Sequence, residues 1–191
     1  MMSFEDIAIN NQKRAFDIIK ELDIENVFKS INARVSLVGS LKMGLLMKNK
    51  DIDFHVYTSE LNIEKSFSAI SKLAYSSKIT NITYTNLIDT DEHCIEWHLV
   101  YKDYDVWKID IIHILEGSYY DGYFEDVSDN IINMLTEEKR RTILRLKYET
   151  PEDIKIMGIE YYKAVLKHDI KTFDEFYKWR IREDLNGIIE F

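Results

Sequence analysis

The sequence predicts an α+β fold in which a sheet-bearing core, residues 1–127, is followed by a helical tail, residues 128–191. Segments with strand patterns fall in the first two thirds of the 191-residue chain, and only helical patterns follow them. One proline and six glycines leave few interruptions, which favours long elements. A chain of this length suits one domain, or a core with a small appendage.

The core is predicted to alternate helices with strands. The predicted elements are a helix from Phe4 to about Ile31, a strand over Arg34–Val38, a short helix over Leu41–Met47, a strand over Asp51–Thr58, a helix over Leu61–Tyr75, and strands over Lys78–Ile88, Cys94–Tyr101 and Val106–Leu115. In the second strand, Asp51, Asp53, His55 and Tyr57 alternate with apolar residues. This alternation is typical of a strand with one covered face.

The tail is predicted to contain three helices. Ser128 has the side chain of a helix N-cap, for a helix that runs to about Tyr148. Pro151 suits the first turn of the next helix, and a third helix is expected to begin near Thr172. The change from strand to helix patterns places the boundary between core and tail at about residue 127.

Composition limits the classes of function that the chain can have. Its 25 Lys and Arg residues against 34 Asp and Glu residues give a formal net charge of -9, which disfavours extended nucleic-acid binding. The single cysteine, Cys94, cannot form an internal disulfide and suits a reducing compartment. The sequence shows neither a secretory signal nor an apolar stretch of membrane-spanning length. We therefore expect a soluble, cytoplasmic protein that does not bind membranes.

One stretch combines features that suit a phosphate ligand and metal ions. It reads Val38-Gly39-Ser40-Leu41-Lys42-Met43-Gly44, followed by Asp51-Ile52-Asp53-Phe54. Gly39 ends a strand where backbone must come close to a ligand, and Ser40 offers a hydroxyl and an N–H group at a helix start. Asp51 and Asp53 share one strand face, where they repel each other unless a cation lies between them. Taken singly, the Gly-Ser pair is a turn and the aspartates are a solvated face; their joint spacing favours the ligand site.

These residues resemble the signature of the DNA polymerase β nucleotidyltransferase superfamily. That signature is a hydrophobic residue with Gly-Ser or Gly-Gly, about a dozen residues, and an acid–hydrophobic–acid triplet; here the gap after Ser40 is ten residues. A third acid of the family stands on a later strand, and Asp110 matches it as a lone carboxylate in an apolar run. A metal would stabilise that charge, and pairing with Lys108 is the alternative. The resemblance covers roughly residues 31–114.

The resemblance implies a mixed β-sheet flanked by helices, as in the small one-sheet members with a helical tail. It implies that Asp51, Asp53 and Asp110 are catalytic and bind two Mg²⁺ ions, and that Gly39 and Ser40 bind the nucleoside triphosphate (NTP). Many members have an arginine where this chain has Lys42-Met43, so we expect Lys42 to bind the triphosphate instead.

The implied reaction is transfer of a nucleoside monophosphate to a hydroxyl group of a small molecule or a protein, with release of pyrophosphate. Transfer to RNA or DNA ends is an alternative that the net charge of -9 disfavours. A non-catalytic module that binds a nucleotide or a partner, such as a regulatory or antitoxin-like component, is a second alternative. The presence of all three acids favours the enzyme.

Several other residues have two interpretations each. His55 and His98 either line the pocket or make structural hydrogen bonds. His93, His98 and His113 lack the paired spacing of a zinc site. The basic residues Lys139, Arg140, Arg141, Arg145 and Lys147 form a solvated helix face or present cations to the triphosphate. The aromatic cluster Tyr119, Tyr120, Tyr123 and Phe124 either covers a ligand or packs between sheet and tail.

Overall fold

The computed structural model of the protein describes residues 2–182. Its strands are β1 (Arg34–Val38), β2 (Asp51–Thr58), β3 (Ile79–Leu87), β4 (Cys94–Lys102) and β5 (Val106–Leu115). Its helices are α1 (Phe4–Leu22), α2 (Ile24–Lys29), α3 (Gly39–Lys42), α4 (Ile63–Ala74), α5 (Tyr123–Met134), α6 (Glu137–Glu149), α7 (Gly158–His168) and α8 (Phe173–Arg182). The strands form one sheet in the order β1-β2-β5-β4-β3. Strands β2 and β5 are parallel and the other neighbours are antiparallel, so the predicted α+β fold with a mixed sheet is confirmed.

Helices α1, α2 and α4 cover one face of this sheet. Their buried side chains, including Ile18, Phe28 and Ile70, belong to the same apolar cluster as Ile52 of β2 and Ile109 of β5. Side chains alternate along a strand, so the residues next to these isoleucines point to the opposite face. That opposite face carries the acidic residues of β2 and β5.

The tail helices α5 to α8 form a second apolar cluster. Ile143, Tyr161 and Phe176 of the tail pack in one cluster with Met43 and Leu45, which directly follow α3. The tail is therefore anchored to the same loop that follows the Gly-Ser pair. No helix within residues 2–182 has both the length and the apolar character needed to cross a bilayer.

Both faces of β2 are partly covered, so the prediction of a single covered face is wrong. His55 and Tyr57 are buried although they share the face of the aspartates. The start of α5 lies over them: the Tyr57 hydroxyl donates to Glu125 at 2.6 Å, and the ring of Phe124 meets His55 edge-on at 5.0 Å between centroids. The aspartate end of the strand is the more open part of this face.

The first two predicted helices differ from the structure in their limits. The long N-terminal helix is divided at Asp23, whose left-handed conformation (φ 50°) ends α1 just before α2. The short helix predicted over Leu41–Met47 begins earlier and ends sooner, as α3. Gly44 has a φ of 69°, which cannot continue a right-handed helix, and this residue turns the chain toward β2.

Two predictions for the tail are wrong, and one is confirmed. Ser128 is not an N-cap: it lies inside α5, where its hydroxyl donates to the carbonyl oxygen one turn earlier at 2.8 Å. A separate helix, α6, begins after Thr136, whose side chain is the observed cap. Pro151 lies in the loop before α7 and accepts a turn hydrogen bond there, so it is not in the first turn of that helix. Because α5 and α6 replace the single helix predicted to end near Tyr148, the helix predicted to begin near Thr172 is the fourth of the tail, α8, and it begins directly after that residue as predicted.

Candidate active site

The three aspartates predicted to bind metal lie on one face of two adjacent strands. Asp53 of β2 and Asp110 of β5 are direct partners in the parallel pair, and Asp51 lies two residues before Asp53. Neighbouring strands are about 4.8 Å apart, so acids that are distant in sequence become neighbours in space. All three are half-buried. The sheet therefore brings the predicted acids together on one partly enclosed surface.

Gly39 lies directly against Asp53. Val38 and Asp53 are partners across β1 and β2, so the chain leaves β1 beside this carboxylate. The φ of Gly39 is 71°, and a Cβ atom built there would collide with the Asp53 side chain, with its Cγ at only 2.9 Å. Glycine is thus required both for the backbone conformation and for the space. The next residue, Ser40, is the second residue of the one-turn helix α3, and its carbonyl oxygen accepts from the Leu45 N–H at 2.8 Å.

Negative charge is concentrated at Asp53. Burial, with additional repulsion from Asp51 and Asp110, raises the pKa of Asp53 from 3.8 to about 7. Burial also raises the pKa of Asp51, although Lys108 nearby acts in the opposite direction. The site therefore holds more carboxylate charge than its surroundings offset at neutral pH.

Lys147 of α6 reaches into the site from the tail. Its ammonium group donates to the carbonyl oxygen of Leu45 and to the hydroxyl of Tyr162, both at 2.9 Å. Burial lowers the pKa of Lys147 to about 7, although attraction by Asp53 and Asp51 acts in the opposite direction. Among the described residues of the tail, Lys147 is thus a partly buried cation that lies close to two of the predicted acids, Asp53 and Asp51.

The other basic residues of the predicted run have different partners. Arg141 donates to Glu5 at 2.7 Å, and Arg145 donates to the carbonyl oxygen of Lys171. The sequence allowed two interpretations of these basic residues, one of which was that they contact the triphosphate, but it did not identify Lys147 in particular. The available signal was its position on the apolar side of α6, next to the buried Leu146.

Lys42, which we expected to bind the triphosphate, forms an ion pair with the tail. Its ammonium lies 2.7 Å from Asp129 of α5. The pair is partly exposed, so exchange of Asp129 for a phosphate oxygen would cost little. The role of Lys42 at the site stays a prediction.

His98 of β4 continues the row of polar groups across the sheet. His98 is the cross-strand partner of Asp110, and its Nδ1 lies 2.7 Å from the Asp110 carboxylate. Its Nε2 lies 3.5 Å from Glu96. Burial is the largest single effect and would lower the pKa of His98, but the hydrogen bonds and negative charges of Asp110 and Glu96 together outweigh it and raise the pKa. The imidazole thus orients one oxygen of Asp110 and leaves the second oxygen available.

His55 and the aromatic cluster have mainly packing roles. Burial lowers the pKa of His55 to about 4, so the ring is neutral in the folded protein. Its Nδ1 lies 3.3 Å from the Tyr57 hydroxyl. The members of the aromatic cluster contact one another in edge-on and stacked pairs: Tyr119, Tyr120, Tyr123 and Phe124. Phe124 also meets His55 edge-on, whereas Tyr119 is 76% exposed.

The chemistry of the site suits divalent metal ions. Its donors are carboxylate oxygens, which Mg²⁺ prefers. Burial, together with repulsion from Asp51 and Asp110, makes an ionised Asp53 unfavourable, and a bound cation would offset this cost. Within residues 2–182, no three His, Cys, Asp or Glu side chains converge closely enough to form a ready-made metal site. The carboxylates would therefore have to turn toward a bound ion, as mutually repelling groups do when a cation enters between them.

Solved structures with a similar fold are nucleotidyltransferases. The Cid1 poly(U) polymerase with Mg and 3'-dATP bound matches with a TM-score of 0.59 and 18% identity, over 82% of this chain and 49% of that chain. A cytoplasmic RNA terminal U-transferase matches with a TM-score of 0.55 and 16% identity, over 86% of this chain and 53% of that chain. Cid1 in complex with its short product ApU matches with a TM-score of 0.56 and 15% identity, over 87% and 54% of the two chains.

This similarity is visible in three dimensions and is weak in sequence. No protein-family model matches the chain, and no curated protein matches it in sequence. The chain spans about half the length of the solved structures it matches. At such low identity the comparison establishes the fold. The chain has the nucleotidyltransferase fold of the DNA polymerase β type, as the resemblance of its motif predicted.

Proposed function

We propose that the protein transfers a nucleoside monophosphate from an NTP to an acceptor hydroxyl in a metal-dependent reaction. The observation that carries this proposal is the shared face of Asp51, Asp53 and Asp110, with Asp53 against Gly39. Three acids in one half-buried site are costly for a fold unless they bind a cation. The fold is also that of proteins solved with Mg and nucleotides.

The order of groups across the sheet suggests how the donor and the acceptor are arranged. Gly39 and Ser40 lie on the β1 side of Asp53, and Asp110 lies on the other side, toward His98. The triphosphate would lie beside Gly39 and Ser40, where the missing side chain of Gly39 lets the backbone lie directly against Asp53. The acceptor hydroxyl would approach from the Asp110 side. It would attack the α-phosphorus in line as the bond to the pyrophosphate oxygen breaks.

Each residue of the site would contribute through charge or position. Asp51, Asp53 and Asp110 would hold Mg²⁺, which when bound polarises phosphate oxygens and activates a hydroxyl. Lys147, which is partly buried, would add positive charge on the triphosphate side, because its partner Leu45 follows the α3 turn. The Ser40 hydroxyl would donate to a phosphate oxygen. Replacement of Ser40 by alanine should then weaken triphosphate binding by about 1–3 kcal/mol, the range for a hydrogen bond to a charged group.

Two acceptor classes have support from different observations. The net charge of -9 favours a small molecule or a protein, because an acidic surface repels a phosphate backbone. The similar solved structures are a poly(U) polymerase and an RNA terminal U-transferase, which favours an RNA 3' end. A short RNA end needs only a local site, so the net charge does not decide between the two classes.

Transfer assays would test the proposal and separate it from a non-catalytic binding module. Each labelled NTP should be incubated with Mg²⁺ and with RNA oligonucleotides, DNA oligonucleotides, protein extract or small-molecule extract in turn. We expect label in one acceptor class with the wild type and its loss by orders of magnitude with Asp53→Asn. Binding of an NTP without transfer to any acceptor would favour the module. Absence of both binding and transfer would refute the proposed function.

A further inference from the structure

Strand β3 forms an unprotected edge of the sheet. Among residues 2–182 its only strand partner is β4, so the backbone groups on its other side have no strand to pair with. Its nine residues, Ile-Thr-Asn-Ile-Thr-Tyr-Thr-Asn-Leu, include no charged side chain, although 31% of the whole chain is charged. Natural edge strands are usually protected by lysine, proline, a bulge or very short length. Strand β3 has a bulge between Ile79 and Asn81, but residues 81–87 form a regular stretch without any of these devices. The long, neutral β3 edge is therefore suited to pair with another strand.

The sequence of β3 is complementary to itself in the antiparallel direction. If Thr83 lies opposite Thr83 of a second copy, the regular part of the strand pairs residues of the same chemical class: Ile82 lies opposite Tyr84, and Asn81 lies opposite Thr85. The bulge between Ile79 and Asn81 ends this regular pairing, so residues 81–85 form its centre. No like charges meet in this register. The strand thus fits a second copy of itself.

We propose that the β3 edges of two copies pair antiparallel about a two-fold axis at Thr83. The two sheets then form one continuous sheet of ten strands, and the interface is isologous, as in most homodimers. This proposal is independent of the function proposed above, because it depends on the edge strand alone.

The two faces of β3 support this pairing in different ways. On the helix-covered face, Tyr84 packs against Phe67 of α4 at 4.9 Å between ring centroids. Phe67 is 45% exposed, and Ile82 of the second copy would cover part of this apolar surface. On the opposite face, Thr83 is exposed, and a directly opposed threonine pair is favourable in antiparallel sheets.

The pairing also places both candidate active sites on the same side of the dimer. Thr83 lies across from His98, which lies across from Asp110, so all three side chains share one sheet face. Directly opposed residues of an antiparallel pair point to the same side, and the two copies therefore present their Asp110 residues on one surface. Five strand spacings separate these residues, a distance of about 24 Å. An extended acceptor could contact both sites at once.

Sedimentation measurements on the full chain test the interface. Over protein concentrations of roughly 1–200 µM, where dissociation constants of moderate strength lie, we expect a reversible monomer–dimer equilibrium. Thr83→Lys places two like charges opposite each other and should raise the dissociation constant at least about tenfold. Asn130→Lys adds the same charge at an exposed position of α5 and should leave the equilibrium unchanged. A wild-type monomer at every concentration, or equal effects of the two lysines, would overturn the proposal.

Cross-linking tests the register. Thr83→Cys should form a disulfide-linked dimer on mild oxidation, because residue 83 lies opposite its own copy. Thr80→Cys is the matched control, since the two copies of residue 80 are separated by about six residues along the strand, roughly 20 Å. The native Cys94 is buried and common to both variants. Equal cross-linking of the two variants, or none with Thr83→Cys, would overturn the pairing about Thr83.

Discussion

Replacement of Asp53 by asparagine separates the effect of its charge on the stability of the fold from its role in activity. Asparagine keeps the shape of the side chain and removes its charge. Because burial, Asp51 and Asp110 raise the pKa of Asp53 to about 7, an ionised Asp53 destabilises the metal-free fold. We therefore expect Asp53→Asn to unfold at a higher temperature than the wild type in the absence of metal, although it should be inactive.

The size of this stabilisation can be bounded from the pKa. A pKa of about 7 in place of 3.8 corresponds to at most about 4 kcal/mol, at 1.36 kcal/mol per pH unit. Lys147 loses an attractive partner in the variant, and the half-buried Asp53 has some access to water, so we expect about 1–2 kcal/mol. For a chain of this length, that is a rise in Tm of roughly 2–8 °C.

The pH dependence has a definite sign. The pKa of Asp53 is higher in the folded than in the unfolded protein, so its ionisation costs stability only as the pH rises above about 4, and in full above about pH 7. The difference in Tm between Asp53→Asn and the wild type should therefore be larger at pH 8 than at pH 5.

Thermal melts at both pH values, with and without Mg²⁺, measure these effects. Asp17→Asn, at an exposed position of α1, is the control for removal of one aspartate charge and should shift Tm little. Mg²⁺ should raise the Tm of the wild type more than that of Asp53→Asn, because the variant has lost a ligand. A metal-free Asp53→Asn protein that is less stable than the wild type at pH 8 would refute the reasoning.

Three further predictions concern single side chains of the site. Gly39→Val should fold with difficulty or lose triphosphate affinity, because its side chain would collide with Asp53; unchanged affinity in isothermal titration of a well-folded variant would contradict this. Lys147→Met should lower triphosphate affinity about tenfold or more while the apolar stem still packs, and binding equal to wild type would count against a phosphate contact. His98→Leu should weaken Mn²⁺ binding by roughly tenfold, because it removes the hydrogen bond to Asp110. His98→Asn keeps a donor toward Asp110 and should largely restore binding. Equal binding by the two variants would show that the hydrogen bond is unimportant.

Much of the core could be predicted because its signals are local. The alternation in β2 and the run of apolar residues around Asp110 gave both strands their observed limits. The spacing of Gly39 and Asp53 identified a pair that the structure brings into contact. A lone carboxylate in an apolar strand was enough to connect Asp110 with the pair, although the strands are far apart in the chain.

The tail was less predictable because tertiary contacts override its local signals. Ser128 has the side chain of a cap, yet α5 begins five residues earlier, at Tyr123, where aromatic rings pack against His55. The inward position of Lys147 depends on Tyr162 and on Leu45 in the core, neither of which is near it in sequence. Partners of this kind can be read only from the folded chain.

The parallel pairing of β2 and β5 determines when the site can form during folding. Asp53 and Asp110 are direct neighbours in this pair. The segment between them contains α4, β3 and β4, which must take up their positions before β2 and β5 can pair. Pairing between distant segments closes a long loop and is slow to form compared with a hairpin. In a growing or refolding chain, Gly39 and Asp53 are therefore present for some time before Asp110 lies beside them. Affinity for metal and nucleotide should appear only when the sheet is complete, which makes binding a late marker of correct folding.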